Sequence, residues 1–354
     1  MPRCFNHAGF PALLLLLVIS CKPSQMNYLK NDRLKTIRKD YAGNPSNNGI
    51  FVNYEDVKLP SLGTVLKWQC SRNPQRDEKK KDLWLPEVVQ NATMFTDTAD
   101  KIVWMGHATF LITLNGKNIL TDPVFNDIPF VKRLVGIPCK REEIRNIDYV
   151  LLSHGHFDHC DEKSFKTLAV QNPRMKVLAP LNMTSVLHSF NNDISVQEAG
   201  WYQQFSIDDE TIEIFYMPAF HWYKRGLRDN NSILWGSFVI RCKGKTIFFM
   251  GDSGYNTHFS EISAYFPEID YCIMGVGAYK PDYMMRLSHT SPVEAVKAFH
   301  DLKGKTFIPM HYGTYDLADE PVGEPLRELQ IMKDNHSLNG TLLTPKIGEA
   351  ILLK

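Results

Sequence analysis

The sequence predicts a layered α/β sandwich. Three observations carry that expectation: short apolar strands recur from residue 101 onward, helices separate some of them, and polar side chains gather where strands run out. Residues 101–104 and 109–114 read as strands, Asn115-Gly116 is a hairpin turn, and 118–120 returns as a strand into Thr121-Asp122-Pro123. Residues 148–152 form a buried strand that feeds into a histidine cluster. A helix starts near Asp161-Glu162 and covers 165–169, and 176–179 is again extended. Further strands are expected at 211–216, 234–241, 246–250, 271–275 and 306–309, with a helix over 292–300 whose Pro292 suits a first helical turn.

The chain's 354 residues suffice for one large α/β domain or two small ones, and 44% apolar with 22% charged residues fits a compact globular protein. Lys plus Arg number 40 against 39 Asp plus Glu, a balance that argues against a nucleic-acid-gripping surface. At the N-terminus, Arg3 precedes an apolar run from Phe10 to Ile19 that ends in Val18-Ile19-Ser20-Cys21, resembling a bacterial lipobox with Cys21 as the lipidated residue. This predicts a signal over residues 1–21 and an exported, cell-envelope lipoprotein that meets a membrane surface through its anchor. Residues 22–94 are polar and irregular and read as an extension packed on the core, leaving 95–354 as the catalytic domain. Outside the leader, Cys70, Cys139, Cys160, Cys242 and Cys272 are an odd set, so at least one is free; Cys139 with Cys160 is a pair that an oxidising compartment could bridge.

The chemistry is concentrated in Ser153-His154-Gly155-His156-Phe157-Asp158-His159. Imidazoles and a carboxylate converging from one loop, with no neighbouring cysteine, suit zinc, with iron or manganese as alternatives for the same donors. His221, Asp252 and His311 each follow an apolar strand. Together they complete two shells: His154, His156 and His221 for one ion, Asp158, His159 and His311 for the other, with Asp252 bridging. An anionic bridge offsets the repulsion between two dications, and water activated between them is the expected nucleophile. Ser253 lacks a Gly-x-Ser-x-Gly context and reads as a turn residue.

The His-x-His-x-Asp-His motif with the later His, Asp and His resembles the metallo-β-lactamase superfamily. That resemblance implies a four-layer αββα sandwich with a dinuclear site. A closer one, to the N-acylphosphatidylethanolamine-hydrolysing phospholipase D family, rests on Trp104-Met105-Gly106-His107-Ala108-Thr109, Leu120-Thr121-Asp122-Pro123, His221-Trp222-Tyr223-Lys224-Arg225, Leu234-Trp235-Gly236-Ser237 and His311-Tyr312-Gly313-Thr314. It implies cleavage of a phospholipid phosphodiester to phosphatidic acid and an N-acylethanolamine, zinc at the seven positions already chosen, and a homodimer. It also places His289 near the substrate phosphate, as electrostatic stabiliser or proton donor.

His107 and Asp122 read as residues that orient ligands. Tyr279 either reaches the site or packs structurally, and the Phe125, Ile128, Phe130, Val131 and Leu134 segment is either a membrane-facing lip or acyl groove, or a covered loop. The competing functions are a metal-dependent lactonase or phosphoester hydrolase with a soluble substrate, and a lipoprotein that binds metal without turnover.

Overall fold

The computed structural model describes residues 26–54 and 61–354. The chain opens with β1 (Met26–Leu29), β2 (Lys35–Thr36), β3 (Asn44–Asn47) and β4 (Ile50–Phe51), followed by α1 (Leu62–Cys70) and α2 (Arg76–Lys81). A first half contains β5 (Lys101–Gly106), β6 (Thr109–Leu114), β7 (Lys117–Thr121), β8 (Tyr149–Leu151), α3 (Glu162–Gln171), β9 (Lys176–Pro180), α4 (Thr184–Phe190) and β10 (Ser195–Ala199). A second half contains β11 (Gln203–Gln204), β12 (Ile212–Met217), β13 (Ser237–Cys242), β14 (Lys245–Phe249), α5 (His258–Tyr265), β15 (Ile269–Gly275), α6 (Asp282–Met285) and α7 (Pro292–Asp301). It ends with β16 (Gly304–Met310), α8 (Glu324–Asp334), β17 (Thr341–Leu342) and β18 (Ala350–Leu352).

Two large sheets result, one ordered β10-β9-β8-β7-β6-β5-β18 and the other β17-β16-β15-β14-β13-β12-β11-β2, beside a small β1-β3-β4 sheet. Helix α4 packs on β10 with α3 against it, and α7 packs on β15 and β16 with α5 and α8 against it, giving the expected αββα sandwich. Both faces of the second sheet are packed: Phe238, Ile240 and Ile273 share the face toward the first sheet, Phe248 and Phe307 lie against Phe259 of α5 and Phe299 of α7, and all five are fully buried. Burying each such side chain stabilises by roughly 1.5–3 kcal/mol.

Local chemistry explains the borders. Asn115 and Gly116 both adopt positive φ, 49° and 74°, as the tight β6–β7 hairpin requires. Ser291 accepts from the Glu294 amide while Glu294 accepts from the Ser291 amide, a capping box that starts α7 at Pro292. The strand expected from residue 234 instead begins at Ser237. Gly236 N donates to Ser153 O at 3.1 Å and the Trp235 indole to Ala219 O at 3.1 Å, so residues 234–236 bond to neighbouring loops and the ladder with β12 begins only at Ser237.

The N-terminal part is more ordered than its composition suggested, and it docks on the sandwich. β2 joins the second sheet through β11, Trp84 stacks on Tyr312 at 6.0 Å, and Asn53 Nδ2 donates to His221 O at 3.0 Å. Cys139 and Cys160 are both free and buried rather than bridged, and burial pushes both thiols up to about 12.

The membrane-anchored assignment is corrected. Among the described residues no helix is long and apolar enough to cross a membrane, because the long apolar stretches are spent on the two sheets. Of the described cysteines, Cys139, Cys160, Cys242 and Cys272 are buried and Cys70 is exposed. The leader and Cys21 lie outside the described residues. Among the described residues nothing supplies the anchor, membrane-surface contact or cell-envelope attachment that the leader led us to expect, and those readings are withdrawn.

Asp82 fastens the segment before β5 to α8, accepting from Gly323 N at 3.0 Å and from Arg327 at 3.0 and 3.2 Å. Burial favours its neutral form, but Arg327 and the Gly323 and Trp84 amides outweigh it and hold the carboxyl below its ordinary range. A depressed folded pKa means the stabilisation is complete above the unfolded carboxylate range and disappears as pH falls through the folded value. Asp82→Asn is accordingly expected to lower the denaturation midpoint at pH 7 and to match the parent protein at strongly acid pH. A difference that persists unchanged into acid would contradict this assignment.

Candidate metal centre

All the chemistry-bearing loops emerge at one end of the sandwich. Asp122 follows β7, Ser153 to His159 follow β8, the His221 loop follows β12, Asp252 follows β14 and His311 follows β16. Several of these positions need unusual backbone. His107, Asp122 and His311 have φ of 53°, 32° and 63°, outside the region that side chains prefer, so surrounding structure must hold them there. Gly251, at φ 60°, has no room for a Cβ, which would lie 2.7 Å from Ser153 Cβ.

The structure brings all seven residues singled out as ligands into one cluster. On one side, His156 Nδ1 lies 3.0 Å from His154 Nε2 and 3.1 Å from His221 Nε2. On the other, Asp158 Oδ2 lies 3.4 Å from His311 Nε2 and 3.7 Å from His159 Nε2. Asp252 Oδ2 sits between the groups, 3.1 Å from His159 Nε2, 3.3 Å from His311 Nε2, and 3.9 Å from Nε2 of both His154 and His221. His289 joins them, its Nδ1 3.6 Å from Asp252 Oδ2.

Hydrogen bonds behind the rings fix which nitrogens face inward. His221 Nδ1 is 2.9 Å from Ser288 O, a carbonyl that can only accept, so the proton sits on Nδ1 and the Nε2 lone pair turns inward. Ser153 Oγ donates to Asp122 Oδ2 at 2.6 Å, which leaves it to accept from His154 Nδ1 at 3.0 Å; His154 Nε2 is then also a bare lone pair. Asp122 further accepts from His159 Nδ1 at 2.7 Å and from Ser153 N at 2.7 Å. His107 Nε2 contacts Asp158 Oδ2 at 3.1 Å, so His107 orients that carboxylate rather than Asp122.

The charges divide in the same way. Burial, reinforced by neighbouring imidazoles, holds His154 and His221 well below the ordinary histidine range. Burial likewise lowers His156 and His289 to about 4 and His107 to about 3. For His159 and His311 burial acts in the same direction, but Asp252 and Asp158 outweigh it, placing His311 at about 9 and His159 well above normal. Burial opposes ionisation of Asp158 and Asp252 too, and the imidazoles around them, His159 first, overcome it. The site thus demands positive charge beside these two carboxylates, which either imidazole protons or a divalent cation can supply.

These residues fit a metal. Converging lone pairs of neutral imidazoles repel unless a cation sits among them, and a tetrahedral shell with bonds of about 2.0 Å spaces nitrogens about 3.3 Å apart. The buried Nε2 atoms of His159 and His311 have no hydrogen-bond partner. Each unmade bond in the interior costs about 1–3 kcal/mol. The groups His154, His156, His221 and His107, Asp158, His159, His311 each place one donor atom per residue within 4.8 Å of the others.

Other expectations resolve individually. Tyr279 does not reach the cluster; its hydroxyl donates to Glu324, and it packs structurally. Phe125 and Ile128 are buried, whereas Phe130 is fully exposed, so this segment is partly covered rather than a continuous groove. Ser153, the Ser288 carbonyl, Asn53 and Arg225 support the site without having been assigned any such role. Ser153 was legible in principle, since it precedes the first histidine, but the others depend on distant segments meeting. A cavity of about 680 Å³ at the opposite strand ends, lined by Lys117, Arg174 and Lys176 among others, contains no part of the cluster.

A two-sheet sandwich with this His/Asp cluster at its strand ends defines a metal-dependent hydrolase. Residues 117–312 match the family described as "Beta-lactamase superfamily domain", and the chain belongs to that superfamily. Among curated proteins, it is 30% identical over 304 residues to "N-acyl-phosphatidylethanolamine-hydrolyzing phospholipase D 1" of Caenorhabditis elegans, covering 80% of this chain and 85% of that protein. It is 29% identical over 256 residues to the mitochondrial "N-acyl-phosphatidylethanolamine-hydrolyzing phospholipase D" of Saccharomyces cerevisiae, covering 70% of this chain and 54% of the yeast protein. Among solved structures, isothiocyanate hydrolase from Delia radicum gut bacteria superposes with a TM-score of 0.57 at 16% identity, covering 72% of this chain and 98% of its own. CmlA, a diiron β-hydroxylase from Streptomyces venezuelae, superposes with a TM-score of 0.54 at 16% identity, covering 73% of this chain and 55% of its own. These two likenesses concern the fold.

Asp122→Ala removes the acceptor for His159 Nδ1, Ser153 N and Ser153 Oγ. It is expected to weaken metal retention about 10- to 100-fold in competition with a chelator. Retention equal to the parent protein would show that this carboxylate does not orient the cluster.

Proposed function

We propose that residues 95–354, with 22–94 as a docked extension, form a zinc-dependent phosphodiesterase of the phospholipase D type. Its substrate is N-acylphosphatidylethanolamine, cleaved to phosphatidic acid and an N-acylethanolamine. The observation that carries the reading is the position of Asp252 between two donor groups, with His289 3.6 Å away, in a chain aligned along most of the nematode phospholipase.

In this reading His154, His156 and His221 would hold one zinc ion and Asp158, His159 and His311 a second, with Asp252 available to both. Bound there, the two ions would polarise the phosphoryl oxygen and lower the pKa of water to about 7. The chain's own residues set the geometry. Asp122, Ser153 and the Ser288 carbonyl lock the imidazole tautomers, and His107 holds Asp158 in place.

His289, with 17% of its side chain exposed, stands at the mouth, where a phosphate would enter. Lowered by burial to about 4, it is neutral at pH 7. It therefore acts by donating an N–H hydrogen bond to a phosphoryl oxygen as negative charge develops, rather than by delivering a proton from an imidazolium. The attacking water gives up one proton to solvent as its oxygen bonds to phosphorus, the P–O bond to the N-acylethanolamine breaks, and the departing oxygen takes one proton back from solvent water, so that one water is consumed and no net proton is released from this exchange.

The direct test incubates metal-replete protein with a membrane lipid extract and identifies products by mass. Phosphatidic acid with N-acylethanolamine is expected; disappearance of a soluble lactone or phosphate ester, with the lipids untouched, would refute the substrate and favour a different hydrolase. Asp252→Ala is expected to lose both bound metal and turnover. His289→Ala is expected to keep its metal while kcat falls about 10²- to 10³-fold, and unchanged kinetics would remove His289 from the catalytic set.

A further inference from the structure

The loop after His221 does more than deliver that imidazole. Tyr223 and Asn231 close it, Tyr223 N donating to Asn231 Oδ1 at 2.9 Å and Asn231 N to Tyr223 O at 2.8 Å. Asp229 accepts from Gly226 N at 2.8 Å and from Arg225 N at 3.2 Å, which shapes the tip. From this loop Arg225 reaches under residues 154–160. Its Nη1 donates to both Gly155 O at 2.9 Å and Cys160 O at 2.8 Å, while its guanidinium lies 4.0 Å from the Phe157 ring centroid and 5.5 Å from that of Phe190. Among the described residues no carboxylate pairs with this guanidinium.

The two carbonyls bracket the turn in which His156 O accepts from His159 N at 3.2 Å and Cys160 N at 2.8 Å. One nitrogen therefore fixes both ends of the stretch that carries His156, Asp158 and His159. The planar guanidinium, packed over the Phe157 ring with Phe190 nearby, suits that task, since this packing limits its rotation while two N–H groups point at two fixed acceptors. Tyr223 completes the buttress. Its ring lies parallel to that of His156 at 6.5 Å, and a Cβ at Gly155 would fall 2.4 Å from Tyr223 Cε2, so the two loops are in direct contact at that glycine.

We propose that Arg225 is a positioning residue that couples the two halves of the metal centre, by tying the loop that carries His221 to the loop that carries His154, His156, Asp158 and His159. The proposal rests on the dinuclear reading above. Arg225 touches neither substrate nor metal. Its effect runs through the spacing of donors on opposite sides of Asp252, so its loss should weaken the occupancy of both shells together.

The test measures zinc affinity by chelator competition, together with amide hydrogen exchange over residues 154–160, for the parent full-length protein and for Arg225→Met, Arg225→Lys and Arg228→Met. The last removes an exposed cation from the same loop and is the control. Arg225→Met is expected to bind zinc about 10- to 100-fold more weakly at both sites, to exchange faster across the loop, and to lose kcat with little change in KM. Excess zinc should restore part of that kcat. Arg225→Lys should fold as the parent does and recover only part of the affinity, since an ammonium cannot stack and span both carbonyls in one plane. Parent-like affinity and exchange in both variants would overturn the proposal while leaving the dinuclear site intact. A parent protein that binds no zinc, or only one equivalent, would overturn the dinuclear reading itself.

Discussion

Two carboxylates at the end of a β-sandwich, Asp252 buried and Asp158 half-buried, both facing His159 and His311, constrain everything else in this protein. Asp158 and Asp252 are ionised in a region shielded from water, where unneutralised charge costs several kcal/mol. The surrounding imidazoles meet that demand in two ways. His159 and His311, nearest Asp252, are drawn toward the charged form, whereas His154, His156 and His221 stay neutral and present lone pairs. The site is therefore electrostatically asymmetric: one half is a set of neutral nitrogen donors, and the other is rich in carboxylate. A cation in either half would satisfy what that half lacks, converging lone pairs on one side and negative charge on the other, and Asp252 lies between the two.

The fold supplies this arrangement by ending strands from both sheets at the same edge. β7 and β8 deliver Asp122 and the histidine loop from one sheet, and β12, β14 and β16 deliver His221, Asp252 and His311 from the other. Because the strands are locked by ladders and by a fully buried core, the loops begin from fixed points. The left-handed backbone at His107, Asp122 and His311 shows what the last step costs, each such residue being strained by about 1–3 kcal/mol. Aromatic packing helps to hold it: Tyr312, next to His311, lies between Trp84 and Trp104 at 6.0 and 5.1 Å. Trp84 comes from the N-terminal part, so that part contributes to the stiffness of the metal centre as well as to its own small sheet.

Much of this was legible in the sequence where the signal was local. The core strands on either side of Asn115-Gly116, the strand feeding His154 and the Pro292 helix follow from hydrophobic pattern and turn chemistry. The strand-end histidines and aspartates stood out because each follows an apolar run. What depended on distant partners was not legible. α4, α5 and α8 have mixed faces that gain meaning only against a sheet, and β1 to β4 are too short and polar to announce themselves. Leu234-Trp235-Gly236 is apolar enough for a strand, yet its Gly236 N–H bonds to Ser153 O and its indole to Ala219 O, so the ladder starts only at Ser237. Tyr279 sits in a glycine-flanked loop, as a site residue would, but Glu324 holds its hydroxyl elsewhere. Arg225 was visible within a motif, but its work consists of contacts with backbone carbonyls 65 and 70 residues away, which no side-chain pattern encodes.

The division between strand ends and loops also explains why the sandwich by itself does not choose a reaction. A hydrolase of isothiocyanates and a diiron hydroxylase superpose on this chain with TM-scores of 0.57 and 0.54, so the layered core tolerates different chemistry at its edge. What differs must lie in the groups that face an incoming substrate. Here those are His289, Asp158 and His156, the partly exposed members of the cluster, with Trp222 against the His156 ring at 4.6 Å. The loop that positions Trp222 is the one that supplies His221 and carries Arg225. Changes to this loop that alter what the mouth admits would therefore also move His221, which ties what the mouth admits to the geometry of the His/Asp cluster.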